Sequence, residues 1–294
     1  MNTTHALLTA TLLMTCGISA AQAAATSAPA AVVAARHAQP ITIRNTVIGE
    51  GMPKIIVPTT GNSADTVLAQ AKVIGNNPDA DLIEYRIDYL NFATDPVAVT
   101  ALGQQVAQAA QGKPLLLTFR TKAEGGAKAI ADADYGKLYL ALIKGHFIDL
   151  LDVEMFRNAA VVHQLVAAAH QAGIKVIMSS HDFQKTPSGA EIIARLRQQD
   201  ALGADILKIA VMPHSAADVL TLLSASDQVR EKYSRKPLLT MAMGGAGAIS
   251  RLSGEVFASD LTFGMIGEAS APGQVDVASL HQVLNVIDQS VKTK

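Results

Sequence analysis

From Lys54 onward the chain repeats one theme eight times: a short apolar run rich in Ile, Leu and Val, then a stretch with helical spacing. The runs are KIIVPTT from 54, DLIEYRIDY from 81, KPLLLTFR from 113, FIDLLDVEM from 147, IKVIMSSHDF from 174, ADILKIAVM from 204, KPLLTMAM from 236 and LTFGMI from 261. Successive starts lie 25 to 34 residues apart, the period of one strand and helix unit. Nearly continuous apolar runs belong to strands covered on both faces, and parallel strands need a crossover helix between them. The intervening segments supply those helices. Asn158 precedes Val161, Val162, Leu165 and Ala169 on one face, with Gly173 as the stop. Ser188-x-x-Glu191 reads as a capping box before Ile192, Ile193 and Leu196, and Gly203 ends that stretch. Residues 41–294 are therefore expected to form one α/β domain, a (β/α)8 TIM barrel. An open doubly wound sheet competes, but no G-x-G-x-x-G follows the first run. The alternating segment ITIRNTVIGEG, residues 41–51, is expected to be a β-hairpin closing the bottom of the barrel.

At 294 residues, with 49% hydrophobic and 17% charged residues, the chain has a globular composition. Its 24 Lys and Arg are matched by 25 Asp and Glu, which leaves no surplus to hold a polyanion and argues against a nucleic-acid partner. The only cysteine, Cys16, excludes an intrachain disulfide framework and a cysteine-based zinc site.

Cys16 also lies in a leader. No Lys, Arg, Asp or Glu precedes Arg36, residues 6–21 (ALLTATLLMTCGISAA) are apolar, and Ala21-Gln22-Ala23 is the small-x-small pattern read by signal peptidase. Residues 1–23 thus read as a secretory signal, since the run is short and too interrupted by Thr, Gly and Ser to span a bilayer. A lipoprotein reading of Cys16 fits badly with Met14-Thr15 before it. The expectation is a periplasmic protein with no membrane association after cleavage. Residues 24–40, rich in Ala, Ser and Pro, would be a flexible tail.

Side chains alternate inward and outward along a barrel strand, and chemistry sits at the C-terminal strand ends. In EYRIDY, Glu84, Arg86 and Asp88 share one parity while Ile83, Tyr85 and Ile87 take the other. Asp152 and Glu154 share a parity in FIDLLDVEM, Arg120 ends LLLTFR, and His181 follows VIMSS. Lys208 stands between Ile206, Leu207, Ile209 and Ala210, where a lysine is costly unless paired or functional. Taken singly, Arg86, Asp88, Asp152 and Glu154 also read as a buried salt-bridge network, and His181 as a hydrogen-bonded structural histidine. Their coincidence at one end of the barrel favours chemistry. A lysine among apolar residues and other cations loses its proton more easily and can attack a carbonyl, and a histidine on the next strand can move protons. The pair reads as Schiff-base chemistry.

Competing chemistries are poorly supported. No H-E-x-x-H is present, and His163 and His170 fall on an outer helix. Asp149, Asp152 and Glu154 could hold Mg²⁺, but Asp149 has the opposite parity. No G-x-S-x-G elbow marks a serine hydrolase. Neither metal nor cofactor is expected.

The stretches GMPKIIV, DLIEYRIDYL, LLLTFRTKAEGG, SSHDFQKTP, LGADILKIAVMP, ISRLSGEVFASDLTFG and EASAPGQV resemble those of the type I 3-dehydroquinate dehydratases, from about Ile41 to Ile287. The resemblance implies a metal-free (β/α)8 lyase that converts 3-dehydroquinate to 3-dehydroshikimate. It implies that Lys208 forms the imine, that His181 is the general base and acid, and that Glu124 orients His181. Glu84, Arg86 and Arg120 would hold substrate hydroxyls, and Arg251, Ser270 and Gln274 would close over the carboxylate side. Met241 and Met243 would pack beside the imine, and Asp152 with Glu154 would support Lys208. Pro58 departs from relatives that carry a ligand-contacting serine there, and Tyr85 stands where a tryptophan is common.

The leading expectation is an exported lyase serving quinate or shikimate metabolism, with 3-dehydroquinate as its small-molecule partner and a homodimer as the candidate assembly. Another Schiff-base barrel enzyme of aldolase type would share the lysine but not Arg251 and Gln274. A non-catalytic exported hydroxy-acid binding protein would not need His181, Lys208 and Glu124 together.

Overall fold

The computed structural model describes Met1 and residues 37–293. The expected signal sequence and most of the expected tail lie outside the described residues.

The first element among the described residues is an antiparallel hairpin of β1 (Ile41–Ile43) and β2 (Thr46–Ile48), with Ile41 opposite Ile48. There follow β3 (Lys54–Pro58), α1 (Ala64–Asn76), β4 (Leu82–Arg86), α2 (Pro96–Ala109), β5 (Leu115–Thr118) and α3 (Asp132–Ile143). Next come β6 (Leu150–Glu154), α4 (Ala159–Gln171), β7 (Lys175–Asp182), α5 (Gly189–Ala201), β8 (Ile206–Val211) and α6 (Ala216–Lys232). The chain ends with β9 (Leu238–Ala242), α7 (Ala248–Leu252), β10 (Leu261–Met265), β11 (Val275–Asp276) and α8 (Val277–Lys292). Each of the eight apolar runs carries one strand, β3 to β10. They pair in parallel in the order β10, β3, β4, β5, β6, β7, β8, β9, with β11 beside β10. Backbone and side-chain hydrogen bonds from the segment before β10 complete the curl between β9 and β10. Asp260 N–H donates to the Leu238 carbonyl at 2.7 Å and Asp260 Oδ2 accepts from Leu238 N–H at 2.7 Å. Ser259 Oγ accepts from Thr240 N–H at 3.0 Å.

Alternation sorts the apolar residues into two clusters. Odd positions such as Ile55, Val57, Ile83, Tyr85, Leu115 and Leu117 face the helices. One residue from each barrel strand forms an inner layer near the strand starts: Ile56, Leu82, Leu116, Leu150, Ile177, Ile206, Leu239 and Leu261. Ile43 and Ile48 of the hairpin join this layer, and Arg44 Nε donates to Asp149 Oδ1 at 2.8 Å, just before β6. The hairpin closes the lower end as its alternation implies, leaving the C-terminal mouth open.

Local sequence accounts for the helix starts. Asp95 accepts from the N–H groups of Val97 and Ala98, with Pro96 supplying the first turn of α2. Asn158 does the same for α4, and Gly173, at φ +77°, follows its end. Ser188 caps α5 through Glu191 N–H, but the Glu191 carboxylate turns to Arg195 instead of completing the expected box. The reciprocal box forms at α6, between Ser215 and Asp218.

Candidate active site

Lys208 projects from β8 into the mouth of the barrel with 3% of its surface exposed. Its Nζ donates to Asp152 Oδ2 at 2.8 Å and stands 4.9 Å from the Phe263 ring centre. Asp152 and Glu154, from β6, do not share this role as expected. Glu154 accepts from Arg120 Nη1 at 2.9 Å, from Thr121 N–H at 2.8 Å and from Thr121 Oγ1 at 2.7 Å, so it supports Arg120 and the turn after β5. Arg120 also pairs with Asp152 at 2.8 Å and donates to Ser179 Oγ at 3.0 Å, while Ser179 Oγ donates to Asp152 Oδ1 at 2.6 Å. Burial would raise the Asp152 carboxyl, but Arg120 and Lys208 outweigh it and hold the group well below the usual carboxylate range. Burial, opposed by Asp152 and reinforced by Arg120, lowers the Lys208 ammonium from its ordinary value. A neutral amine is thereby easier to reach.

His181 comes from β7, the neighbour of β8, but it pairs in register with Ala210; Ser179 is the residue opposite Lys208. The two groups thus stand diagonally across the ladder, not side by side. His181 Nδ1 lies 2.8 Å from Glu124 Oε2. Glu124 belongs to a single 3-10 turn, Lys122–Glu124, ended by Gly125 at φ +84°. A Cβ on Gly125 would lie 2.2 Å from the Phe183 ring, so that turn requires glycine on both counts. Burial, then the neighbouring cations Arg120 and Lys208, pull the imidazole well below its ordinary value. Burial and Glu154 push the Glu124 carboxyl up to about 8. The pair therefore holds one proton in its hydrogen bond near neutrality, and its loss frees an imidazole nitrogen as a base.

The other polar groups ring the same cleft. Glu84 accepts from Thr118 Oγ1 at 2.8 Å, and Arg86 is fixed by Asp88 through bonds of 2.8 and 3.0 Å. Asp88 falls in a 3-10 turn after β4 and also accepts from the N–H groups of Arg120 and Ala127, so it is a brace and not a cleft residue. Arg251 is almost wholly buried and, among the described residues, meets only neutral atoms, Met241 Sδ at 3.5 Å and the Pro272 carbonyl at 3.2 Å. Burial lowers it to about 10. A buried guanidinium without a carboxylate partner is a receptor for an anion. Ser270 and Gln274 bond each other in the loop before β11, Gln274 Oε1 accepting from Ser270 N–H at 2.8 Å. Gly244 N–H donates to the Pro272 carbonyl at 3.1 Å, which holds that loop against the mouth.

The resulting cleft is lined by Glu84, Arg86, Arg120, Glu124, His181, Lys208, Met241, Met243, Arg251, Ser270 and Gln274. Asp152 and Glu154 sit behind that wall. Pro58, in register with Glu84, is not among the lining residues, and its ring carries no hydroxyl to stand in for the serine of those relatives. Phe183, Ala210, Phe263 and Ala271 also line the cleft and went unread. Phe263 was legible by parity, since Thr262 and Gly264 flank it in LTFGM and take the opposite face.

Fold and site together place the chain among the (β/α)8 barrel enzymes that take small polar substrates at the C-terminal strand ends. The family model for type I 3-dehydroquinase matches residues 55–291, and the chain belongs to that family. The catabolic 3-dehydroquinate dehydratase of Acinetobacter baylyi is 52% identical over 245 residues, covering 83% of this chain and 90% of that protein. The 3-dehydroquinate dehydratase of Enterococcus faecalis is 47% identical, covering 86% of this chain and 99% of its own. The type I 3-dehydroquinate dehydratase of Clostridium difficile, solved with covalent modified comenic acid, superposes with a TM-score of 0.83 at 40% identity, covering 86% of this chain and 99% of that one.

Proposed function

We propose that this chain dehydrates 3-dehydroquinate to 3-dehydroshikimate through an imine on Lys208. The observation that carries the reading is the buried Lys208 amine in the cleft, paired with Asp152 at 2.8 Å and shielded from water.

A proton alpha to a ketone is hard to remove, and a protonated imine supplies the missing electron sink. Neutral Lys208 Nζ adds to the ketone carbon, and loss of water leaves the iminium. His181, held at Nδ1 by Glu124, takes the alpha proton through Nε2, and the electron pair becomes an enamine. The enamine expels the beta hydroxyl, which leaves as water with the proton returned from His181. Hydrolysis of the conjugated imine releases the enone and restores the amine. Arg251 receives the substrate carboxylate, and Glu84, Arg86 and Arg120 meet the hydroxyls, so that the alpha proton points at His181. Arg251, with no carboxylate partner among the described residues, supports a substrate that carries its own carboxylate, as 3-dehydroquinate does.

Borohydride added during turnover of 3-dehydroquinate is expected to fix ligand mass on the peptide containing Lys208. Lys208→Met is expected to abolish trapping and dehydration while keeping the fold, because a thioether fills an apolar strand site and Arg120 still neutralises Asp152. Ligand mass on another lysine, or full activity in folded Lys208→Met, overturns the mechanism. Trapping by an aldol substrate alone selects the aldolase reading, and binding without the enone absorbance selects the binding protein.

Export to the periplasm and service in quinate catabolism belong to the same proposal. The apolar segment 6–21 with Ala21-Gln22-Ala23 supports export, and the likeness to a relative named catabolic supports the role. Intact mass of periplasmic protein is expected to start near Ala24. A species retaining Met1, or one carrying a diacylglyceryl group on Cys16, overturns it.

A further inference from the structure

Lys208 lies in register between Ser179 of β7 and Leu239 of β9. Its backbone is nonetheless gripped from the helical layer. Lys208 N–H donates to Gln199 Oε1 at 2.9 Å, and the Lys208 carbonyl accepts from Gln199 Nε2 at 2.8 Å. Gln199, on α5, is fully buried, and its amide also reaches Met155 Sδ at 3.4 Å, one residue beyond β6.

The partner of Lys208 is held in a matching way. The β5–β6 ladder runs for only two residue pairs, Leu116 with Leu150 and Leu117 with Leu151, whereas β6–β7 runs for five. Where β5 and β6 part, the Tyr139 hydroxyl of α3 stands between them. It accepts from Phe119 N–H at 2.8 Å and donates to the Asp152 carbonyl at 3.0 Å. Tyr139 is itself fully buried. Losing Gln199 would strip both of these bonds from the Lys208 backbone; losing Tyr139 would strip Phe119 N–H and leave the Asp152 carbonyl only the longer bond from the Tyr135 hydroxyl at 3.4 Å, and in each case the strand segment would shift to find new partners.

We propose that Gln199 and Tyr139 are positioning residues for the reaction, setting the separation of Lys208 and Asp152 by clamping the backbone of each from the outer helices. Neither touches the cleft. The proposal rests on the functional reading above for its catalytic consequence, but the clamp itself can be read without substrate. Asp152 raises the Lys208 ammonium, so loosening the pair lets its titration midpoint fall.

The test is competitive acetylation of Lys208 by acetic anhydride across pH, read by peptide mass, in the full chain and in Gln199→Leu and Tyr139→Phe. Each variant is expected to lower the Lys208 labelling midpoint by about half a pH unit or more. Each is also expected to lower kcat by roughly tenfold while KM changes less than about twofold, as for loss of geometry without loss of binding. Gln199→Glu, whose neutral buried carboxyl can both accept and donate, is expected to restore the wild-type midpoint. Folded variants that are less stable yet keep the wild-type midpoint and kcat overturn the proposal. A shifted midpoint in a chain whose wild type does not dehydrate 3-dehydroquinate leaves the clamp standing and sinks the functional reading instead.

Discussion

Glu124 Oε2 and His181 Nδ1 meet at 2.8 Å across 57 residues of chain, bringing the turn after β5 to the end of β7. With Nδ1 committed to Glu124 the orientation of the ring is set, and loss of the proton shared by the pair leaves Nε2 free for substrate.

That pairing fixes the sign of a pH effect. The Glu124 carboxyl is raised to about 8, so below that pH the pair carries a proton that occupies the base, and activity is lost as pH falls through this window. In Glu124→Gln the imidazole titrates alone, and burial with its cationic neighbours keeps it low. The acid limb of kcat/KM is expected to move to lower pH, with a plateau reduced roughly tenfold or more. An unmoved limb would assign it to another group.

His181→Ala is expected to lower turnover by roughly 10² to 10⁴-fold. The imine can still form on Lys208, so borohydride should trap more ligand per chain than in the wild type under the same conditions. Near-normal turnover would return His181 to a structural role.

Arg251→Met is expected to raise KM for 3-dehydroquinate by roughly 10 to 100-fold, the cost of a lost charged hydrogen bond. The ligand-free protein should at the same time be no less stable, because the substitution removes a buried cation that lacks an anion. Thermal melts with and without substrate check both halves. A large loss of stability without ligand contradicts the receptor reading.

Ile48 has no exposed surface and sits against the inner layer at the closed end. Ile48→Ala is expected to cost about 2–5 kcal/mol in denaturant unfolding while leaving kcat/KM unchanged, since the cleft lies at the opposite end. A matching fall in activity would show that the two ends are coupled.

Periodicity made the barrel legible, because both-face burial forces apolar runs and the crossover helices force their spacing. Parity and strand ends pointed to Glu84, Arg86, Arg120, His181 and Lys208, whereas Glu124 and Arg251 came only with the resemblance; parity also placed Tyr85 toward the helices, where its hydroxyl donates to the Val99 carbonyl at 3.2 Å. What parity cannot carry is register. Adjacent strands put His181 near Lys208, yet the register sets His181 opposite Ala210 and Ser179 opposite Lys208. The resemblance implies that Glu154 supports Lys208, but β5 and β6 part above Leu117 and Glu154 turns to Arg120 and Thr121. Gln199 and Tyr139 left no signal in the sequence, since a buried amide or phenol on a helix shows its partner only when the strand beneath is placed.

The hairpin at the closed end has a consequence for the order in which the molecule can be assembled. Ile43 and Ile48 bury themselves against a layer that takes one residue from every strand, the last being Leu261. The segment made early in synthesis therefore has no finished surface to rest on until the final strand is in place, and its docking reports that the circuit of strands is complete.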